Sequence, residues 1–168
     1  MPYFGDEKTK IMKQFETIAG ELTSLITEWE KRFTSLSEEQ ISIPRNSQNR
    51  NIRQIVGHMV DSASNNTHRV VHLQYNELPL EFPNYATYGN NDRWIAIQNY
   101  EQEDWNNLVQ LWKFSHLHYL HVIQQINPEK LGNEWQADKN ERVTLKEMVK
   151  DFPRHFKLHI SEIEELLH

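Results

Sequence analysis

The chain has no cysteine, which excludes a disulfide framework, a thiolate metal site and a cysteine nucleophile in the protein itself. Any metal must be held by nitrogen and oxygen donors. Glycine is scarce, at 5 residues, and no Gly-rich phosphate loop or Ser-His-Asp arrangement can be traced. Positive charge is also short, with 18 Lys and Arg against 24 Asp and Glu and a net charge of -6. Nucleic-acid binding needs clustered cations to neutralise phosphates, and no basic stripe gathers them here. No run approaches the ~18 apolar residues of a membrane span, and the opening MPYFGDEKTK lacks the apolar segment of a secretion signal. A cytoplasmic location with no membrane partner is expected.

What is present is enough to fold. Hydrophobic residues make up 38% of the 168, with 5 Trp, 7 Phe and 6 Tyr, so the low mean hydropathy of -0.78 belongs to solvated helix faces rather than to disorder. The length suits one domain spanning 1–168.

Apolar periodicity predicts an all-α protein. Ile11, Phe15, Ile18, Leu22, Leu25, Trp29 and Phe33 recur by threes and fours, giving helix 1 over roughly Asp6–Phe33. Ser37 and Gln40 form a capping box for a short turn that ends at Ile43-Pro44. Asn51 and Gln54 cap helix 2, about Asn51–Tyr75. The stretch Asn76–Asn91 holds Pro79, Pro83 and Gly89 and reads as irregular, with a helical turn near Asp92–Ile97 leading out of it. Helix 3 covers roughly Glu103–Ile126, and Thr144 with Glu147 opens helix 4, whose stripe ends at Leu167. No segment alternates long enough to predict a strand. Sixteen irregular residues can stretch to about 50 Å, enough for the connection between helices 2 and 3 to return along a whole helix. The expected architecture is an up-down-down-up four-helix bundle with a long crossover between helices 2 and 3, placing helices 2 and 4 antiparallel.

The 9 histidines are unevenly informative. His155 and His159 form an HxxxH on helix 4, two imidazoles about 40° apart on adjacent turns. That spacing alone is weak, since His68 and His72 repeat it. Depth separates the pairs. His58 lies near the start of helix 2 and His155/His159 nearer the end of helix 4, so in antiparallel helices all three share a level. His72 is about 21 Å further along the axis. His116 is read as a core histidine, and His118 and His121 as surface residues. Asp61, Ser62, Asn65, Arg69 and His72 fall on the His58 side of helix 2, forming a polar stripe that is either a solvated edge or one wall of a cleft.

The stretch Asn51–Leu73, NIRQIVGHMVDSASNNTHRVVHL, resembles the helix 2 signature of the DinB-like superfamily in its YfiT-related branch. So do Asn84-Tyr85 with Trp94, the Trp105–Trp112 segment, and Asp151-Phe152 followed by HxxxH. The resemblance covers nearly the whole chain in order. It implies an up-down-down-up bundle, frequent dimerisation, and a divalent metal held by one histidine of helix 2 and two of helix 4, here His58, His155 and His159. Members of this superfamily include metal-dependent hydrolases and S-transferases for low-molecular-weight thiols. Two departures stand out. Arg50 replaces a frequent Trp and is expected to weaken outer packing, and Pro153 is expected to kink helix 4 beside His155.

Three neutral imidazoles around Zn or Ni leave a coordination position open, the pattern of catalytic rather than structural sites. The expected function is a metal-dependent enzyme that activates water or a small thiol against a small-molecule substrate. Asp61 is expected to orient His58 and Arg69 to hold an anionic group of the substrate, with Asn65 in the same pocket. The alternative is a non-catalytic stress-response or binding module whose metal is structural or vestigial. An aromatic surface at Trp94–Trp112 suggests a homodimer.

Overall fold

Helix formation follows the caps. In the computed structural model, which describes residues 3–76, 79 and 81–168, α1 spans Tyr3–Thr34, α2 Glu38–Ser42, α3 Ile52–His72, α4 Asn90–Gln98, α5 Trp105–Gln124 and α6 Leu145–Leu167. Residues 77, 78 and 80 of the expected 76–91 connection, and residues 1 and 2, lie outside the described residues. The three expected capping boxes all form. Ser37 with Gln40 opens α2, Asn51 with Gln54 opens α3, and Thr144 with Glu147 opens α6. Each satisfies two backbone or side-chain donors at a helix start, which fixes where the helix begins.

The four long helices α1, α3, α5 and α6 bury one face each. Phe15, Leu22, Ile26, Trp29 and Phe33 of α1 meet Ile55, Val56 and Met59 of α3, Trp112 and Tyr119 of α5, and Phe152 and Phe156 of α6. Rings interlock at the centre. Phe33 sits edge-on to Trp112 at 5.0 Å between centroids, and Tyr119 lies 4.1 Å from Phe152. Such pairs add to the apolar burial that stabilises the bundle.

Polar ties set neighbours along the axis. The Trp105 indole donates to the Phe33 carbonyl at 2.8 Å, and Lys8 pairs with Glu129 at 2.5 Å. Arg53 donates to the Glu103 carbonyl at 2.5 Å, and the Asn127 amide donates to Gln74 at 2.9 Å. Gly57 is required inside α3 because a Cβ there would collide with the Tyr100 ring.

Two expectations need correction. A two-stranded antiparallel hairpin is present, β1 Glu134–Asp138 and β2 Glu141–Thr144, with Trp135 opposite Val143. Strands of 5 and 4 residues are too short to declare an alternation. Arg50 does not loosen the start of α3. It is buried and paired with Asp92 of α4 at 2.6 Å, so a salt bridge closes this corner. Pro153 lies inside α6, as the sequence places it. Among the described residues, no helix is long and apolar enough to cross a membrane.

Candidate metal centre

The capped start of α3 places His58 on its buried face, and α6 brings His155 and His159 against it from the opposite side. One ring nitrogen from each of the three lies within 4.8 Å of the other two. His155 and His159 stand edge to face, with their Nε2 atoms 3.1 Å apart. His58 meets His159 edge to face at 4.6 Å between centroids. His58 and His159 are buried and His155 is half-buried.

The outward nitrogens have partners. His159 Nδ1 is 2.8 Å from a Glu162 carboxylate oxygen, an acceptor that keeps the proton on Nδ1 and the lone pair on Nε2. His58 Nδ1 makes a short contact with the Tyr85 hydroxyl, which also lies 3.3 Å from the His58 carbonyl. The arrangement that satisfies every group has Nδ1–H donating to the phenol oxygen and the phenol donating to the carbonyl. That leaves the Nε2 lone pair of His58 free. Ser62 Oγ lies 3.5 Å from His155 Nδ1.

Burial disfavours charge on these rings. It pushes His58 down to about 2, with His159 nearby adding to the effect, and His155 down to about 4 by the same two causes. His159 is also lowered by burial, against the opposing pull of Glu162. All three are therefore neutral at neutral pH, the protonation state a metal requires. The donor set fits a borderline divalent ion. Two imidazole nitrogens each about 2.0–2.1 Å from one zinc would stand roughly 2.8–3.4 Å apart in octahedral to tetrahedral geometry, and the Nε2–Nε2 separation of 3.1 Å falls in that interval. Among the described residues, no fourth His, Asp or Glu joins the group.

Beside the cluster is a cavity of about 550 Å³ lined by His58, His155, Tyr85, Arg69, Phe152 and Trp135, among others. The hairpin supplies the Trp135 wall. Of the other residues expected at the site, Arg69 lines this cavity. Asn65 instead lines an adjoining hollow of about 340 Å³ with His68, Phe82 and Trp94, and its amide donates to the Asp61 carbonyl at 2.8 Å. Asp61 does not orient His58. Its carboxylate accepts from Tyr100 at 2.6 Å and Gln98 at 2.7 Å, and the position beside His58 Nδ1 belongs to Tyr85. Burial raises the Asp61 carboxyl to about 6, against those two hydrogen bonds.

Tyr85 and Glu162 are not among the residues expected at the site from the sequence. Tyr85 reaches His58 from a loop with no periodicity to reveal it, although Asn84-Tyr85 is among the residues that carry the family resemblance. Glu162 stands three residues after His159, where a helix brings side chains together, so its spacing was readable.

Comparison with known proteins bears on this arrangement. The family model of the DinB superfamily matches residues 21–163. Among solved structures, YfiT from Bacillus subtilis, described as a probable metal-dependent hydrolase with an unusual four-helix bundle topology, matches with a TM-score of 0.70 at 20% identity. The match covers 96% of this chain and 86% of that one. At that identity the likeness carries the fold, a four-helix bundle. No match was found among curated proteins.

Proposed function

This chain belongs to the DinB superfamily, and from that premise we propose that His58, His155 and His159 hold one divalent metal ion, zinc or nickel, in an enzyme that activates water or a small thiol. The reading includes hydrolase and thiol S-transferase chemistry on a small-molecule substrate, and it includes the up-down-down-up order. Supporting that order, Arg53 early in α3 meets Glu103 just before α5, while Gln74 after α3 meets Asn127 after α5. The contacts of α1 with the same region run the other way, from Lys8 to Glu129 and Phe33 to Trp105.

One observation carries the reading: three neutral, inward-facing imidazole nitrogens within 4.8 Å beside a cavity of substrate size. A divalent ion in such a site supplies Lewis acidity, lowering the pKa of a bound water or thiol and polarising a carbonyl. The protein's own contribution is positional. Glu162 and Tyr85 fix the tautomers and angles of His159 and His58, and loss of such supporting partners typically weakens metal binding 10–100-fold. Phe152 and Trp135 make apolar cavity walls that limit water around the reacting atoms.

The test is metal analysis of the purified chain, followed by ester-hydrolysis and thiol-conjugation assays with and without chelator. About one ion per chain, with turnover lost on chelation and restored by zinc or nickel, is expected. Turnover indifferent to chelator, or a bound ion with no turnover on either reaction type, would return the site to a structural role.

A further inference from the structure

Among the described residues three arginines are buried, and two of them are neutralised. Arg50 pairs with Asp92, and Arg53 pairs with Glu38 while donating to the Glu103 carbonyl. Arg69 differs. It is only 6% exposed, yet its Nε and Nη2 have no hydrogen-bond partner in the protein, and among the described residues no carboxylate pairs with it. Burial lowers its pKa only to about 10, so it stays charged at neutral pH. Its guanidinium lies over the Trp135 ring, 4.2 Å from the centroid.

The surroundings share this imbalance. The Trp135 Nε1 and the buried Tyr119 hydroxyl also lack partners, and Tyr119 is near enough to Arg69 to interact with it electrostatically. All three groups can donate. Of the acids along the same cavity, Glu147 is committed to the Thr144 cap, Asp151 to both arms of Arg154, and Glu141 is exposed on β2. A buried cation without a counter-charge carries a large desolvation penalty. An anion entering the cavity would remove it.

We infer that the cavity takes an elongated organic anion, with its reacting end at the histidine cluster and a carboxylate held by the Arg69 guanidinium against Trp135. Length follows from helix geometry. Arg69 is eleven residues after His58 on α3, which is about 16 Å along the axis and roughly 20° around it. Helical side chains lean toward the N-terminus, so the long arginine reaches back toward His58. On the order of 10 Å then separates guanidinium from imidazoles, which a chain of about eight carbons spans at ~1.2 Å per bond.

This inference rests on the metal reading for the reacting end only, and the test separates the two. Titration calorimetry on the zinc-loaded full chain would compare 8-mercaptooctanoate with 8-mercaptooctanol, and on the metal-free chain octanoate with octanol. In both pairs the wild type should favour the acid by about tenfold. Arg69→Met should abolish that preference while leaving 8-mercaptooctanol affinity unchanged, and Arg69→Lys, which keeps the charge without the planar fork, should retain part of it. An unpaired Arg69 also means that Arg69→Met melts no lower than wild type in the absence of ligand. Should the methionine variant not fold, the lysine variant decides, because full retention of the acid preference there contradicts a contact that depends on the guanidinium. Equal affinity for acid and alcohol in wild type, or an acid preference surviving Arg69→Met, overturns the inference. If zinc adds nothing to mercaptan binding while octanoate still depends on Arg69, the metal reading fails and this one stands.

Discussion

Two histidine pairs share the same i, i+4 spacing, and only one builds a site. His155 and His159 on α6 bring their Nε2 atoms to 3.1 Å and meet a third ring from α3. His68 and His72 on α3 stay 6.4 Å apart between centroids, on the outside of the bundle against Phe82, and His72 Nδ1 is taken by Tyr75 and Asn76. His116 shows that burial alone does not make the difference. It is as deep as His58, but its Nδ1 bonds to the Trp112 carbonyl at 2.6 Å and its ring packs against Phe156 and Phe152. A candidate metal site here needs a second helix presenting a nitrogen at the same level, together with acceptors behind the rings.

The contrast can be broken by mutation. The largest effect should come from Phe156→Ala, next to His155 but in the core, which should cost ~3–5 kcal/mol with or without metal; chemical denaturation of both forms checks it. His155→Ala should leave metal-free stability nearly unchanged and remove the stabilisation that metal confers, about 2.7 kcal/mol in wild type at a hundredfold excess over Kd. Melting curves with and without zinc read this directly. If His155→Ala gains as much from zinc as wild type, His155 is not a ligand.

His116 should instead reveal itself through pH. Burial holds its native pKa at about 4, against an opposing hydrogen bond to Trp112, whereas the unfolded ring titrates near 6.5. Between those values the unfolded chain binds a proton that the native ring refuses, so its contribution is present above pH 6.5 and is lost as pH falls toward 4. On the order of 2 kcal/mol should disappear between pH 7 and 5. Asp61, with its native pKa raised to about 6, acts with the opposite sign. The His116→Gln variant isolates the histidine part, because its stability should fall less steeply over that interval than that of wild type. The smallest effect belongs to His68→Ala with His72→Ala, each expected to change stability by within about 0.5 kcal/mol and to leave the response to zinc intact.

The parts of this molecule that were legible in the sequence are those with local rules. Capping boxes at Ser37, Asn51 and Thr144 place helix starts, and the apolar stripes name the core. Counting residues from helix ends brings His58 level with His155 and His159. What stayed hidden depends on contacts between segments without a period. Tyr85 crosses from a loop to His58. The hairpin that carries Trp135 has too few residues to alternate visibly. Asp61 was misassigned because lying on one helical face fixes proximity along α3 but says nothing about what packs across it, and Tyr100 and Gln98 reach it from α4 and the turn that follows.

We propose that three imidazoles from two helices, backed by Glu162, bind one ion. Calorimetric titration of zinc into chelator-treated protein tests it most directly. Wild type should bind about one equivalent, Glu162→Gln should bind the same amount 10–100-fold more weakly, His155→Ala should lose the transition, and the His68/His72 double variant should match wild type. Zinc binding that survives in His155→Ala but vanishes in the His68/His72 variant would contradict the account, as would no binding to wild type.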